Sequence, residues 1–118
     1  MYVSRGCPAL VGDEITGYKA KKEGDFNDVI ERVKQIQDDG HAAKLVRAIA
    51  NAERVSGKWE GGGGGGDDRP GFEVKGEMWS KVGLMAVESV EAGAPEWVRG
   101  CGFEGAWEGV PLREGRKV

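Results

Sequence analysis

Histidine is almost missing from this chain: His41 is the only one, and cysteine occurs only at Cys7 and Cys101, near opposite ends. A structural zinc site takes about four Cys or His ligands in close pairs, so no metal site is expected. A Ser–His–acid triad has one imidazole to draw on, and no Gly-x-Ser-x-Gly elbow is present. A Cys–His nucleophile pair would require the fold to bring His41 to Cys7 or Cys101. No catalytic residue is therefore assigned, and no cofactor is expected. The two cysteines read as free thiols of a reducing compartment.

Long apolar runs are also lacking. None reaches the roughly 18–20 residues that span a bilayer, so no membrane is expected among the partners. The opening Met1–Cys7 has no basic stretch followed by an apolar one, unlike a secretory signal. The expected location is the cytoplasm. A basic stripe is missing too: 17 Lys and Arg face 20 Asp and Glu, for a net charge of −3. The best local clusters are Lys19, Lys21 and Lys22 beside Tyr18, and Arg113, Arg116 and Lys117. Glu23 and Asp25 follow the first directly, so phosphate-driven affinity is weak and nucleic acid is not an expected partner. Acidic residues are plentiful, yet no spacing singles out a catalytic carboxylate pair. No repeat of 20–50 residues is present.

Glycine is what the chain has in excess. Its 21 glycines are more than double the usual share of about 7%. The run Gly61–Gly66 could suggest a phosphate cradle, but Asp67 and Asp68 follow it where a P-loop needs Lys and Ser or Thr. The stretch 60–71 reads instead as a flexible linker inside one small domain spanning 1–118.

Helices are expected where glycine is sparse. Asp25 can cap a helix over about 25–39, in which Phe26, Val29, Ile30, Val33 and Ile36 form one stripe. Gly40 suits a left-handed turn. A second helix follows over about 41–56, with Ala42, Leu45, Val46, Ile49, Ala52 and Val55 as its stripe and Gly57 as its stop. The short link implies an antiparallel helical hairpin. A third helix is expected over about 77–92, with Met78, Val82, Met85 and Ser89 as its stripe. Short strands are possible at Asp13–Lys19 and, from the alternation of Phe72, Val74, Gly76 and Met78, just before the third helix. The fold class is thus mainly α or α+β: a hairpin, a third helix, one or two short strands and Gly-rich loops.

Four tryptophans stand out. Trp59, Trp97 and Trp107 each neighbour a glutamate, namely Glu60, Glu96 and Glu108. An aromatic face beside a carboxylate can hold a sugar or a cation, and tryptophan also anchors protein interfaces. These six residues are the ligand or interface candidates, whereas Trp79, inside the third helix, is assigned to the core. With so poor a catalytic inventory, the expected function is a non-catalytic protein–protein interaction or accessory subunit of a larger assembly. The expected partner is protein, either the same chain as an oligomer or another. The alternative is a small-ligand binding module, or small enzyme, that uses Trp and carboxylate side chains on a sugar or metabolite.

Overall fold

The computed structural model describes residues 11–60, 74–93, 103 and 105. They form four helices: α1 (Gly12–Thr16), α2 (Phe26–Val33), α3 (His41–Glu60) and α4 (Met78–Ala92). The helical part of the expected class is present, and among the described residues there is no strand.

The strand expected at Asp13–Lys19 is replaced by α1 and a turn. The amide of Gly17 donates to Asp13 O at 2.8 Å and that of Tyr18 to Ile15 O at 3.2 Å. With no strand beside it, this segment pairs its backbone groups locally. The described end of the second expected strand, residues 74–77, is a tight entry into α4. Gly76 adopts φ +54°, and the amides of Met78 and Trp79 donate to Lys75 O and Gly76 O.

Helix α2 starts where Asp25 dictates. Its carboxylate accepts from the amides of Asn27 (2.8 Å) and Asp28 (3.1 Å), while Asp28 Oδ2 accepts from the Asp25 amide (2.9 Å). This reciprocal pair satisfies backbone donors that the first turn leaves open. The helix ends at Val33, six residues short of the expected 39. Asp38 explains the early stop, because its carboxylate accepts from the amides of Gly40 (2.8 Å) and Ala42 (2.9 Å) and so caps the start of α3. A side chain so engaged draws the preceding backbone out of helix. Gly40 sits at φ +90°, the left-handed region expected of it.

Helix α3 overruns its expected end at 56 and continues to Glu60, through Gly57. Glycine inside a helix costs about 1 kcal/mol against alanine. Bonds at the far end offset it: Glu60 accepts from Ser56 Oγ (3.0 Å), the Gly76 amide (2.8 Å) and Trp79 Nε1 (2.8 Å). The last turn of α3 is thereby tied to the start of α4.

The core is shared by three helices. Val29 and Val33 of α2, Ala42 and Val46 of α3, and Leu84, Val87 and Val90 of α4 form one buried cluster, with Phe26, Ile30 and Ile36 packed against it. The α2–α3 hairpin does not close on itself alone; α4 packs against both members. The stripe expected on α4 is out of phase. Ser89 is exposed, whereas Gly83, Leu84, Val87, Glu88 and Val90 are buried.

Gly83 permits the α2–α4 contact. A Cβ placed there would lie 3.2 Å from Phe26 Cε2 and from both Val29 methyl groups. Gly83→Val pushes a branched side chain into those groups. It is expected to lower stability by about 1–3 kcal/mol, read as a lower urea midpoint with an unchanged slope.

Candidate functional site

The strongest concentration of polar side chains lies where the 18–22 segment, α2 and α4 converge. At its centre is Glu88, only 6% exposed amid the apolar face of α4. Tyr18 Oη donates to Glu88 Oε2 at 2.6 Å. The amides of Lys21 and Lys22 donate to the same carboxylate at 3.1 and 3.2 Å. The guanidinium of Arg32, on α2, reaches Glu88 Oε1 at 3.4 Å and Glu91 Oε2 at 2.6 Å, with a further bond from Arg32 Nε to Glu91 Oε1 at 3.1 Å. A buried carboxylate is tolerated only when its oxygens are satisfied in this way.

The electrostatics follow from the geometry. Burial by itself pushes the Glu88 carboxyl upward, but Tyr18, the two backbone amides and Arg32 together outweigh it and hold the group at about 2. Burial and then the hydrogen bond to Glu88 push the Tyr18 phenol up to about 12. The Arg32 guanidinium is held still more firmly in its charged form: the bond to Glu91 is the largest influence, partly opposed by burial. The cluster is therefore a set of fixed charges. Near neutrality Glu88 is too weak a base, and Tyr18 too weak an acid, for either to exchange protons with a substrate. What this arrangement does is clamp the 18–22 segment and α2 onto α4.

The raised Tyr18 phenol can be checked directly. In a Tyr2→Phe background Tyr18 is the only tyrosine, and phenolate absorbance is expected to titrate near pH 12 instead of the ordinary 10. Glu88→Gln brings the transition back toward 10. A phenol raised on folding adds stability that is complete below about pH 10 and lost as pH rises toward 12.

The Trp–Glu candidates fare differently. Trp59 is 49% exposed, with Lys58 Nζ 5.3 Å from its ring centroid. Its neighbour Glu60 is not beside it as a ligand pair, being engaged by Ser56, Gly76 and Trp79. Those donors, the Gly76 amide foremost, hold the Glu60 carboxyl below the usual range. Trp79, assigned to the core, is half-buried and ends on this bond. Trp97, Trp107, Glu96 and Glu108 lie outside the described residues, as do Cys7, Cys101 and most of the 60–71 stretch. His41 is exposed, with Nδ1 2.5 Å from Asp39 Oδ1.

No local motif marks Tyr18, Arg32, Glu88 and Glu91 as a group, because they are brought together across 56 to 70 residues. One signal was available: Glu88 sits directly after Val87 and two residues before Val90, on the side of α4 that carries Leu84. An acid in an apolar stripe implies donors from elsewhere in the fold.

Among the described residues no group of three or more His, Cys, Asp or Glu is placed to hold a metal ion, and no helix is long and apolar enough to cross a membrane. An apolar depression between α3 and α4 is lined by Ala42, Leu45, Val46, Ala86, Val87 and Val90. It offers no polar side chain to orient a ligand.

Comparison with known proteins bears on function more directly. The sequence model of the family described as Questin oxidase-like matches residues 1–49, which include Tyr18, Arg32 and the first half of α3. The chain is 35% identical to Baeyer–Villiger oxidase notM of Aspergillus sp. (strain MF297-2), over 93% of this chain and 28% of that protein. It is 33% identical to oxidoreductase AflY of Aspergillus parasiticus, over 93% of this chain and 27% of that protein. It is also 33% identical to questin oxidase of Aspergillus fumigatus, over 93% of this chain and 24% of that protein. No solved structure matches. The chain thus spans about a quarter of the length of these relatives. Similarity to oxidases along nearly its whole length overturns the expectation of a non-catalytic interaction protein or accessory subunit, and it gives the interaction and oligomer readings no support.

Proposed function

We propose that this chain is part of a Baeyer–Villiger oxidase, an enzyme that inserts one oxygen atom between a ketone carbonyl carbon and its neighbour to give an ester or lactone. The observation that carries the reading is the alignment of 93% of the chain, at 33–35% identity, with relatives that include a Baeyer–Villiger oxidase and a questin oxidase. It spans both sides of the Arg32–Glu88 clamp, which supports a common helical framework rather than one shared motif.

Within such an enzyme the described helices supply rigidity. Near neutrality Glu88 stays ionised and Tyr18 stays protonated, so neither trades a proton with a substrate, and the reacting groups are to be sought elsewhere in the enzyme. The clamp then positions α2 and α4 without taking part in the chemistry.

The test replaces the aligned stretch of the intact Aspergillus sp. oxidase with this chain and offers the chimaera, in air and with reducing equivalents, a panel of aromatic ketones including questin, the compound in one relative's name. A product one oxygen atom heavier, labelled when the dioxygen is isotopically labelled, is the expected result. No oxygen gain with any ketone, from a chimaera shown to be folded by circular dichroism while the parent oxidase is active, refutes the reading.

A further inference from the structure

The outer side of α3 carries an apolar stripe against which, among the described residues, no other helix packs. Ala48, Ala52, Val55 and Trp59 are spaced four, three and four residues apart, so they line one face of the helix. Val55 is 46% exposed and Trp59 49%; Ala48 is exposed and Ala52 half-buried. The stripe lies beside the core-facing side formed by Ala42, Val46, Ile49 and Ser56. Its other border is basic: Lys44, Arg47, Arg54 and Lys58 are all exposed there. The two acidic residues of α3, Glu53 and Glu60, fall on the core-facing half, where Glu60 is bonded to Trp79. A chain of net charge −3 therefore presents a local strip that is apolar in the middle and positive along one edge.

Exposed singly, such residues need no explanation. Here they are contiguous and end in a tryptophan. The relatives that match this chain run about four times as long as the part they share with it, so most of such an enzyme lies beyond the helices described. We infer that the Ala48–Ala52–Val55–Trp59 face is the seat of an element from that remaining part of the same polypeptide, with apolar side chains at its centre and carboxylates opposite Lys44, Arg47, Arg54 and Lys58. The inference rests on the oxidase reading and deepens it, because it assigns α3 the joint between this segment and the rest of the enzyme.

Thiol labelling tests it without a disruptive substitution. Val55→Cys is made in this chain with Cys7 and Cys101 changed to serine, and a cysteine is placed at the aligned position of the intact Aspergillus sp. oxidase. Maleimide incorporation is followed peptide by peptide. The expected result is fast labelling in this chain and labelling at least about tenfold slower in the intact oxidase, where the site reacts only on local opening. Reversing the basic border in the oxidase, at the positions aligned with Arg47 and Arg54, is expected to raise the slow rate. Equal labelling in the two proteins, with the oxidase still active and therefore folded, overturns the inference. So does slow labelling in this chain alone, which would mean that its own residues cover the face. Protection of this chain by vesicles of anionic phospholipid also overturns it, in favour of a membrane surface. The ketone assay reads the oxidase function independently, so failure of that reading and failure of the docking are told apart.

Discussion

Glu88→Ala is expected to destabilise the chain by about 3–5 kcal/mol, the usual cost of removing one partner from a buried, hydrogen-bonded charge pair. Of a total stability of roughly 5–15 kcal/mol for a small domain, this is enough to unfold a large fraction of molecules. The magnitude comes from what is left behind: the Tyr18 hydroxyl and the amides of Lys21 and Lys22 lose their shared acceptor, and Arg32 loses one of its two carboxylates. Distance alone would rank the partners of Arg32 the other way, because Glu91 is at 2.6 Å and Glu88 at 3.4 Å. Burial decides. Glu91 is 41% exposed and makes a solvent-screened pair, so Glu91→Ala is expected to cost no more than about 1 kcal/mol. Equal losses from the two substitutions in urea unfolding would contradict this assignment.

The same group sets an acid dependence whose sign is fixed. The Glu88 carboxyl lies at about 2 in the folded chain against an ordinary 4.5. A carboxyl depressed on folding adds stability above its unfolded value and surrenders it as pH falls through the folded one. The difference in unfolding free energy between the native chain and Glu88→Gln is therefore expected to be constant above about pH 5 and to shrink on the way to pH 2. A gap unchanged at pH 3 would mean that the carboxylate is not held as described.

Leu84→Ala carries the second large effect, about 2–5 kcal/mol. Leu84 is 2% exposed and packs where α2, α3 and α4 meet, so truncation opens a void that three helices must fill together. Val55→Ala removes a comparable apolar group from the exposed side of α3 and is expected to stay within about 0.5 kcal/mol. Comparing the two by urea unfolding separates the core from the open stripe, and similar losses would contradict the burial of Leu84.

How much of this was legible beforehand depends on the range of the interactions. The start of α2 was readable because Asp25 caps residues two and three positions ahead. The left-handed turn at Gly40 was readable for the same local reason. The end of α2 was not, since it is set by Asp38 capping the next helix, and the end of α3 was not, since Glu60 is held by residues 76 and 79. The buried face of α4 is not legible in the sequence because this helix is apolar on several sides. Met78, Val82 and Met85 are no less hydrophobic than the residues that are buried. Function was illegible for a different reason. The sequence holds no compact catalytic motif, whereas the oxidase signal is a similarity spread over nearly the whole chain.

The sequence by itself determined that three helices would form and roughly where, because helix periodicity, caps and glycine stops act within about four residues along the chain. Only the tertiary structure decided which face of α4 turns inward and why an acid can sit there. The donors that make Glu88 tolerable are 56 to 70 residues away, and the cost of burying a charge is settled by such distant partners, not by its neighbours in sequence.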